Sequence, residues 1–446
     1  MERDLKNLKI FVKTYGCQMN ERDSEAISAQ LCDAGCSIVD DEDAADVVIL
    51  NTCSIREQAE IKAIGKLGRL ALKKRTNPNF RVGVVGCMAE NLGATLFKIN
   101  KFVDFVVGPR RLHELPNVLQ GRSESLLIGN SETTRSDFDR IVGGTRHSSF
   151  LSIMQGCNMR CSYCIVPKTR GKEQYRPMDG IVEEARFLAK NGTKEITLLG
   201  QIVNGYGGKP WTRGENTAFV QLLERLNGID GIERIRYMSP HPKYFSDDLI
   251  IAHRTLQKLC PSVHLPIQSG SNRVLKDMGR AYSRETVIEI VQKLRAVAPR
   301  IGLSTDIIVG YPGETEQEFE ETVSLFDEAK FSMAFVFKYS PRAGTRSAEL
   351  VDSIPGDEKE RRNQILLKLV GETSARYNSQ FVGDSVEILV EGHAKRGKNM
   401  LYGWTPEHCK TLFVADSALI GKMVNVKING FATTVLTGSL EDNFKK

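Results

Sequence analysis

Cys157, Cys161 and Cys164 stand in the run Gln155-Gly156-Cys157-Asn158-Met159-Arg160-Cys161-Ser162-Tyr163-Cys164, directly after the apolar stretch Phe150 to Met154. The spacing is Cys-x3-Cys-x2-Cys. Three thiolates can hold three corners of a cubane iron–sulfur cluster and leave the fourth iron without a protein ligand. An open iron can take up a substrate or cofactor, so the implied chemistry is catalytic and goes beyond carrying electrons. Zinc is the alternative, but tetrahedral zinc sites usually pair Cys-x2-Cys units or complete a Cys/His quartet, and no histidine lies near in sequence. Buried thiols clustered for packing explain the run less well, because it reads as a strand end and loop.

Cys17, Cys53 and Cys87 form a second set, in Tyr15-Gly16-Cys17, Asn51-Thr52-Cys53 and Val85-Gly86-Cys87, spaced about 35 residues apart. Each falls just past a predicted parallel strand, on the edge where open α/β sheets bind ligands. Together they point to another three-thiolate site with an open iron, and Gly16 and Gly86 would let the backbone approach a bulky cluster closely. The alternative is three independent thiols packed as small hydrophobes. Cys32, Cys36, Cys260 and Cys409 lack such placement and read as structural.

The elements that must position these residues alternate along the chain. Lys9–Thr14, Val47–Asn51, Arg81–Val85 and Phe105–Val107 read as short buried strands, with helices over Asp23–Ala34, Glu57–Arg75 and Glu90–Lys98. That order implies an open, Rossmann-like parallel sheet with helices on both faces. A polar stretch from Gly121 to Ser149 reads as a linker with a short strand at Leu126–Ile128. Strands are then expected at Phe150–Met154, Glu195–Leu199, Arg234–Met238, Ser262–Leu265, Leu303–Val309 and Met333–Tyr339. Helices are expected at Ile181–Lys190, Ala218–Leu226, Arg284–Ala298 and Glu316–Ala329. Six β/α units suggest a partial barrel, short of the eight of a full one, with chemistry at the carboxyl ends of its strands. Asp357–Asn378 has helical spacing. Phe381 to Leu440 breaks into short β-rich pieces, the pattern of a small antiparallel barrel of about five strands that either binds nucleic acid or serves as a structural module. The fold class is therefore α/β with a C-terminal β-barrel.

At 446 residues the chain is long enough for two or three domains. Hydrophobic content of 41% and charged content of 26% are ordinary for a globular protein. No apolar run approaches the length of a membrane helix and the first residues are polar, so no membrane partner and a cytoplasmic location are expected. Ten cysteines then read as metal ligands before disulfides. The net charge of +6 permits an anionic partner such as RNA without requiring one.

Cys157-x3-Cys161-x-Tyr163-Cys164 resembles the signature of the radical S-adenosylmethionine enzymes. The resemblance implies a [4Fe-4S] cluster on these three cysteines whose open iron chelates S-adenosylmethionine, with Tyr163 beside the adenine. Over essentially the whole chain, the three N-terminal cysteines, the radical core and the C-terminal barrel, here a TRAM domain, are similar to the methylthiotransferases. On this resemblance the chain divides into an N-terminal methylthiotransferase domain (7–122), a linker (123–142), the radical core (143–376) and the TRAM barrel (378–440).

The runs Thr14-Tyr15-Gly16-Cys17-Gln18-Met19-Asn20 and Asn51-Thr52-Cys53-Ser54-Ile55-Arg56-Glu57 resemble the branch that acts on tRNA. The branches acting on ribosomal protein and on threonylcarbamoyl-adenosine in tRNA, whose first-cysteine motifs differ, are the alternatives. The implied reaction adds a methylthio group to C2 of N6-isopentenyladenosine at position 37, with two S-adenosylmethionine molecules per turnover and an auxiliary [4Fe-4S] cluster on Cys17, Cys53 and Cys87 carrying the sulfur. The implied partners are the tRNA anticodon stem–loop, a low-potential electron donor such as a flavodoxin or ferredoxin, and a sulfur donor; a monomer is expected. The rival from another class is an iron–sulfur electron carrier or scaffold.

Three further runs fit: Leu198-Leu199-Gly200-Gln201-Ile202-Val203-Asn204, Leu265-Pro266-Ile267-Gln268-Ser269-Gly270-Ser271 and Asp306-Ile307-Ile308-Val309-Gly310-Tyr311-Pro312-Gly313-Glu314. By the resemblance, Gly200 and Gln201 face the methionine moiety, and Gln268 and Ser269 the ribose or carboxylate; capping of the following helices is the plainer role for such residues. Gln174-Tyr175-Arg176 departs from the family, which more often has Ser before the Arg. Arg176 and the basic loop Lys168-Thr169-Arg170-Gly171-Lys172 are expected to contact RNA phosphate or to form a solvated loop.

Overall fold

Alternating β-branched residues build the N-terminal sheet. The computed structural model describes residues 4–54, 57–130, 147–208, 216–397 and 399–441. Residues 131–142 of the expected linker, and Ile55 and Arg56 of the second cysteine run, lie outside the described residues. Strands Lys9–Tyr15, Ser37–Ile38, Val47–Thr52, Arg81–Gly86, Phe105–Val107 and Leu126–Leu127 pair in parallel throughout. Val47–Thr52 is buried at every position, as a central parallel strand must be. Val47 and Ile49 join a core with Ile27 and Leu31 of helix Gln18–Asp33, while Val48 and Leu50 join one with Ala63, Leu67 and Leu70 of helix Glu57–Thr76. Helices therefore cover both faces.

Numbered along the chain, the strand order is 2-1-3-4-5-6. This is the flavodoxin-like form of the doubly wound sheet, whose ligand crevice opens between the first and third strands.

Two N-terminal helices depart from expectation. The first starts at Gln18 instead of Asp23, because Cys17 occupies the N-cap position and its backbone N–H is met by Asn20 Oδ1 at 3.4 Å. The helix expected over Glu90–Lys98 is two short pieces, Cys87–Leu92 and Thr95–Ile99, broken where Gly93 adopts a φ of +48°.

The core has six parallel strands in sequential order. Ser148–Ser152, Glu195–Leu199 and Arg234–Tyr237 form one sheet, and Ser262–His264, Gly302–Val309 and Met333–Lys338 form the other. The sheets are stitched by an Ile235–Leu259 bridge, with Ile235 N–H donating to Lys258 and Cys260 N–H donating to Ile235. Met154–Gln155 leaves the first strand to pair antiparallel with Gln174–Tyr175. Helix Asp247–Thr255, not foreseen, joins the outer layer. Residues such as Leu151, Ile196, Ile235, Val263, Leu303 and Ile307 pack outward onto the helices in one apolar core.

Helix Gly356–Ser379 leads to a closed barrel of Ser385–His393, Met400–Trp404, Lys410–Val414, Met423–Ala432 and Val435–Leu440. The barrel is mixed where an antiparallel one was expected: Lys410–Val414 and Val435–Leu440 run parallel. The reason is parity, since directions cannot alternate around a closed ring of five.

The barrel caps the amino ends of the core strands. Arg234 donates to the Trp404 and Glu387 carbonyls, and Arg236 to the Pro406 and Thr405 carbonyls, at 2.7 to 2.8 Å. Glu195, at the start of the neighbouring strand, pairs with Arg236 at 3.0 Å. Among the described residues, no helix is long and apolar enough to cross a membrane.

Candidate active site

The N-terminal trio stands at the carboxyl edge of its sheet, around the crevice that the strand order opens. Cys17 follows the first strand, Cys53 the third and Cys87 the fourth. Cys53 and Cys87 are buried, and Cys17 is half-buried. The Cys53 backbone N–H donates to the Tyr15 carbonyl at 2.9 Å, which locks the first two strand ends together. Beneath the thiols, the Asn20 side-chain amide donates to Asn51 Oδ1 at 3.1 Å, and Asn51 Nδ2 donates to the Asn20 main-chain carbonyl at 2.8 Å and to Ser24. Two glycines keep this packing possible. A Cβ on Gly16 would lie 2.9 Å from the Cys53 Cβ, and Gly86, at φ +90°, would press one to 2.4 Å from Asn51 Oδ1.

The electrostatics of the three thiols differ. A hydrogen bond with Cys53 pulls the Cys17 thiol down to about 6, overcoming its burial, with help from the Arg170 charge. Burial pushes Cys87 up, opposed by the nearby Arg170, which also hydrogen-bonds it.

The second trio occupies the loop after Met154–Gln155, at the carboxyl end of the core. Cys157 N–H donates to the Gly171 carbonyl at 3.0 Å, and Met159 N–H points at the Cys157 sulfur at 3.4 Å. Ser162 ties the loop down through Asp277, Met278 and Tyr311. Arg280 donates to the Cys161 sulfur at 3.4 Å and to the Pro266 carbonyl at 3.0 Å, with Tyr282 beside its guanidinium. Burial pushes the Cys157 thiol up to about 11 and Cys164 up to about 12.

The other residues singled out from sequence fall around this loop. Tyr163 is half-buried against the cluster of Val274, Met278, Tyr311 and Tyr339. Gly200 lies where a Cβ would strike the Met154 side chain at 2.5 Å. Gln201 Oε1 is buried without a hydrogen-bond partner. Gln268 adopts a φ of +82°, a strained conformation held by backbone hydrogen bonds to Asp306 and Ile308. The Ser269 hydroxyl contacts Thr322 and accepts from the Ser271 N–H.

Sequence reasoning missed the residues that join the two halves. Arg170 and Arg176, expected at RNA phosphate or in a solvated loop, are both buried at the seam between the N-terminal sheet and the core. Arg176 and Arg22 grip the two oxygens of the buried Glu184 carboxylate at 2.5 and 2.8 Å. Arg170 pairs with Asp23 at 2.5 Å. Lys168 reaches Asn91 at 3.1 Å and Ser152 contacts Met19 at 3.4 Å. Asp23 lies 147 residues from Arg170, and although Glu184 is only eight residues from Arg176, the Arg22 that shares its carboxylate is 162 residues away, so no local signal separated these arginines from surface charge.

The residues fit iron–sulfur chemistry. Both trios offer only soft sulfur donors, the set that suits such clusters, and the orphaned Gln201 oxygen stands just past strand Glu195–Leu199, at the carboxyl end of the core. Among the described residues, no three His, Cys, Asp or Glu side chains are arranged to hold a single metal ion.

A parallel half-barrel with a Cys-x3-Cys-x2-Cys loop at its carboxyl end defines a radical S-adenosylmethionine protein. Residues 151–326 match the Radical SAM superfamily, and residues 9–108 match the Uncharacterized protein family UPF0004. The solved radical S-adenosylmethionine methyltransferase TsrM from Kitasatospora setae, with cobalamin and a [4Fe-4S] cluster bound, shares the fold over 77% of each chain (TM-score 0.56, 15% identity). Relatives are far closer in sequence. The tRNA-2-methylthio-N(6)-dimethylallyladenosine synthase of Opitutus terrae is 45% identical over 97% of both chains. That of Methylacidiphilum infernorum is 43% identical over 94% of this chain and 92% of its own. The chain belongs to the tRNA-2-methylthio-N(6)-dimethylallyladenosine synthase family.

Proposed function

We infer that the protein is a radical methylthiotransferase that adds a methylthio group to C2 of N6-isopentenyladenosine at position 37 of tRNA. The observation that carries this is the packing of helix Val166–Arg170, which follows one three-cysteine loop, on helix Cys87–Leu92, which opens at the other cysteine set, in a chain alike along nearly its full length to relatives of that name. A [4Fe-4S] cluster on Cys157, Cys161 and Cys164 with S-adenosylmethionine supplies radical chemistry when bound, and an auxiliary cluster on Cys17, Cys53 and Cys87 supplies the sulfur.

The chain's own residues prepare that chemistry. Arg280 places a half-buried positive charge against Cys161 and anchors it to Pro266, so the loop keeps its shape as its thiols lose protons to bind iron. Tyr163, Gly200, Gln201, Gln268 and Ser269 are assigned to S-adenosylmethionine; the free Gln201 amide oxygen is ready to accept from its ammonium group. Cys53 lowers the Cys17 thiol, which favours the thiolate needed for iron.

Residues 7–122 act as the methylthiotransferase domain, 143–376 as the radical core and 378–440 as the RNA-holding TRAM barrel, joined by a linker at 123–142. The adenosine leaves its stack to reach the seam while the barrel holds the anticodon stem–loop. A low-potential electron donor and a sulfur donor complete the cytoplasmic reaction.

Turnover on isopentenylated tRNA against ribosomal protein tests the substrate, and methylthio product on protein alone would refute it. Cys17→Ala separates the two sites: it is expected to keep cleavage of S-adenosylmethionine to 5′-deoxyadenosine and lose methylthio product. Normal product from that variant would remove the N-terminal trio from the reaction.

A further inference from the structure

The N-terminal trio is built by one domain, yet the cation beside it comes from the other. Arg170 lies six residues after Cys164, at the end of the short helix Val166–Arg170, which packs on helix Cys87–Leu92. Its side chain is 4% exposed. It donates to both oxygens of Asp23, at 2.5 and 3.5 Å, on the helix that Cys17 caps. Burial works against its charge, but Asp23, Cys87 and Cys17 outweigh that and hold it protonated. The guanidinium is thus held between the helix that Cys17 caps and the helix that Cys87 opens, and its charge lowers both thiols.

We propose that Arg170 is a positioning residue for the N-terminal trio, a cation delivered by the radical core that favours the reduced state and the retention of the group held by Cys17, Cys53 and Cys87. This rests on the reading that the trio holds an iron–sulfur cluster. Three thiolates on a cubane of charge +2 give a net charge of −1, which reduction makes −2. A fixed buried cation therefore stabilises the reduced form more than the oxidised one. Its partner Asp23 carries the opposite charge. A pair serving only to hold the seam together would have no such directional effect, because the two members would be interchangeable.

The test uses the full chain with Cys157, Cys161 and Cys164 replaced by Ala, reconstituted with iron and sulfide and titrated by electron paramagnetic resonance. Arg170→Gln is expected to lower the reduction equilibrium constant about tenfold, or ~59 mV for one electron. Asp23→Asn is expected to shift it the other way, and Arg170→Lys to stay close to the parent. Because Arg170→Gln alone strands a buried carboxylate and endangers folding, the pair Arg170→Gln with Asp23→Asn is measured as well. It should fold and shift the midpoint less than either single variant does. Unchanged midpoints, or shifts of one sign for both single variants, would overturn the proposal. A folded parent that takes up no iron would instead overturn the reading of the trio beneath it.

Discussion

Cys157, Cys161 and Cys164 come from a single loop, whereas Cys17, Cys53 and Cys87 come from three strand ends separated by whole β/α units. The loop fixes its own thiols through Ser162 and backbone contacts and finds its cation, Arg280, within the same domain. The dispersed trio depends on strand register, on the Asn20–Asn51 amide pair and on a cation from across the seam. Their resting electrostatics differ accordingly, with Cys17 pulled down to about 6 and Cys157 and Cys164 pushed up to about 11 and 12. The same donor set thus carries different liabilities. The loop is exposed to local damage, and the dispersed site to anything that loosens the domain seam.

Three changes sharpen that contrast. Cys157→Ala is expected to bring 5′-deoxyadenosine formation down to background while iron bound by the N-terminal trio persists; chromatography of the nucleoside and iron counting check both. Glu184→Ala leaves the buried Arg22 and Arg176 without their shared carboxylate. The expected loss is about 3–5 kcal/mol, read from denaturant midpoints. The N-terminal trio should lose iron before the loop does, and equal losses from both would break the comparison. In metal-free protein, iodoacetamide at pH 7.5 should label Cys17 about 100-fold faster than Cys157, since thiolate is the reactive form. Labelling of Cys17 should fall as pH drops below about 6, while Cys157 should become reactive only as pH approaches about 11. Mass spectrometry of the alkylated peptides reads both profiles.

Much of this was legible in the chain because the signals are local. Strand runs such as Glu195–Leu199 and Phe105–Val107 lie where their apolar patterns place them. The dispersed cysteines were legible for another reason: one motif, strand then Cys, recurs three times. What escaped was set by distant partners. Arg170 and Arg176 sit in a run rich in Lys and Arg, and what makes them interior residues is the N-terminal domain, which brings Asp23 against Arg170 and Arg22 against Glu184, the partner of Arg176. The early start of helix Gln18–Asp33 escaped because Cys is not a customary N-cap and its support comes from Asn20. The parallel pair in the barrel follows from closure, a property of the whole ring that no strand carries alone.

The C-terminal barrel grips the core at the amino ends of its strands, and the cysteine loop lies at their carboxyl ends. The longest of those strands, Gly302–Val309, has eight residues and so a length of roughly 26 Å. If the barrel holds the nucleic acid as proposed, a substrate gripped at one end and altered at the other would be measured against a rigid ruler. Selection would then depend on how far a nucleotide stands from the duplex that is gripped, and an identical base one helical step nearer or farther would be passed over.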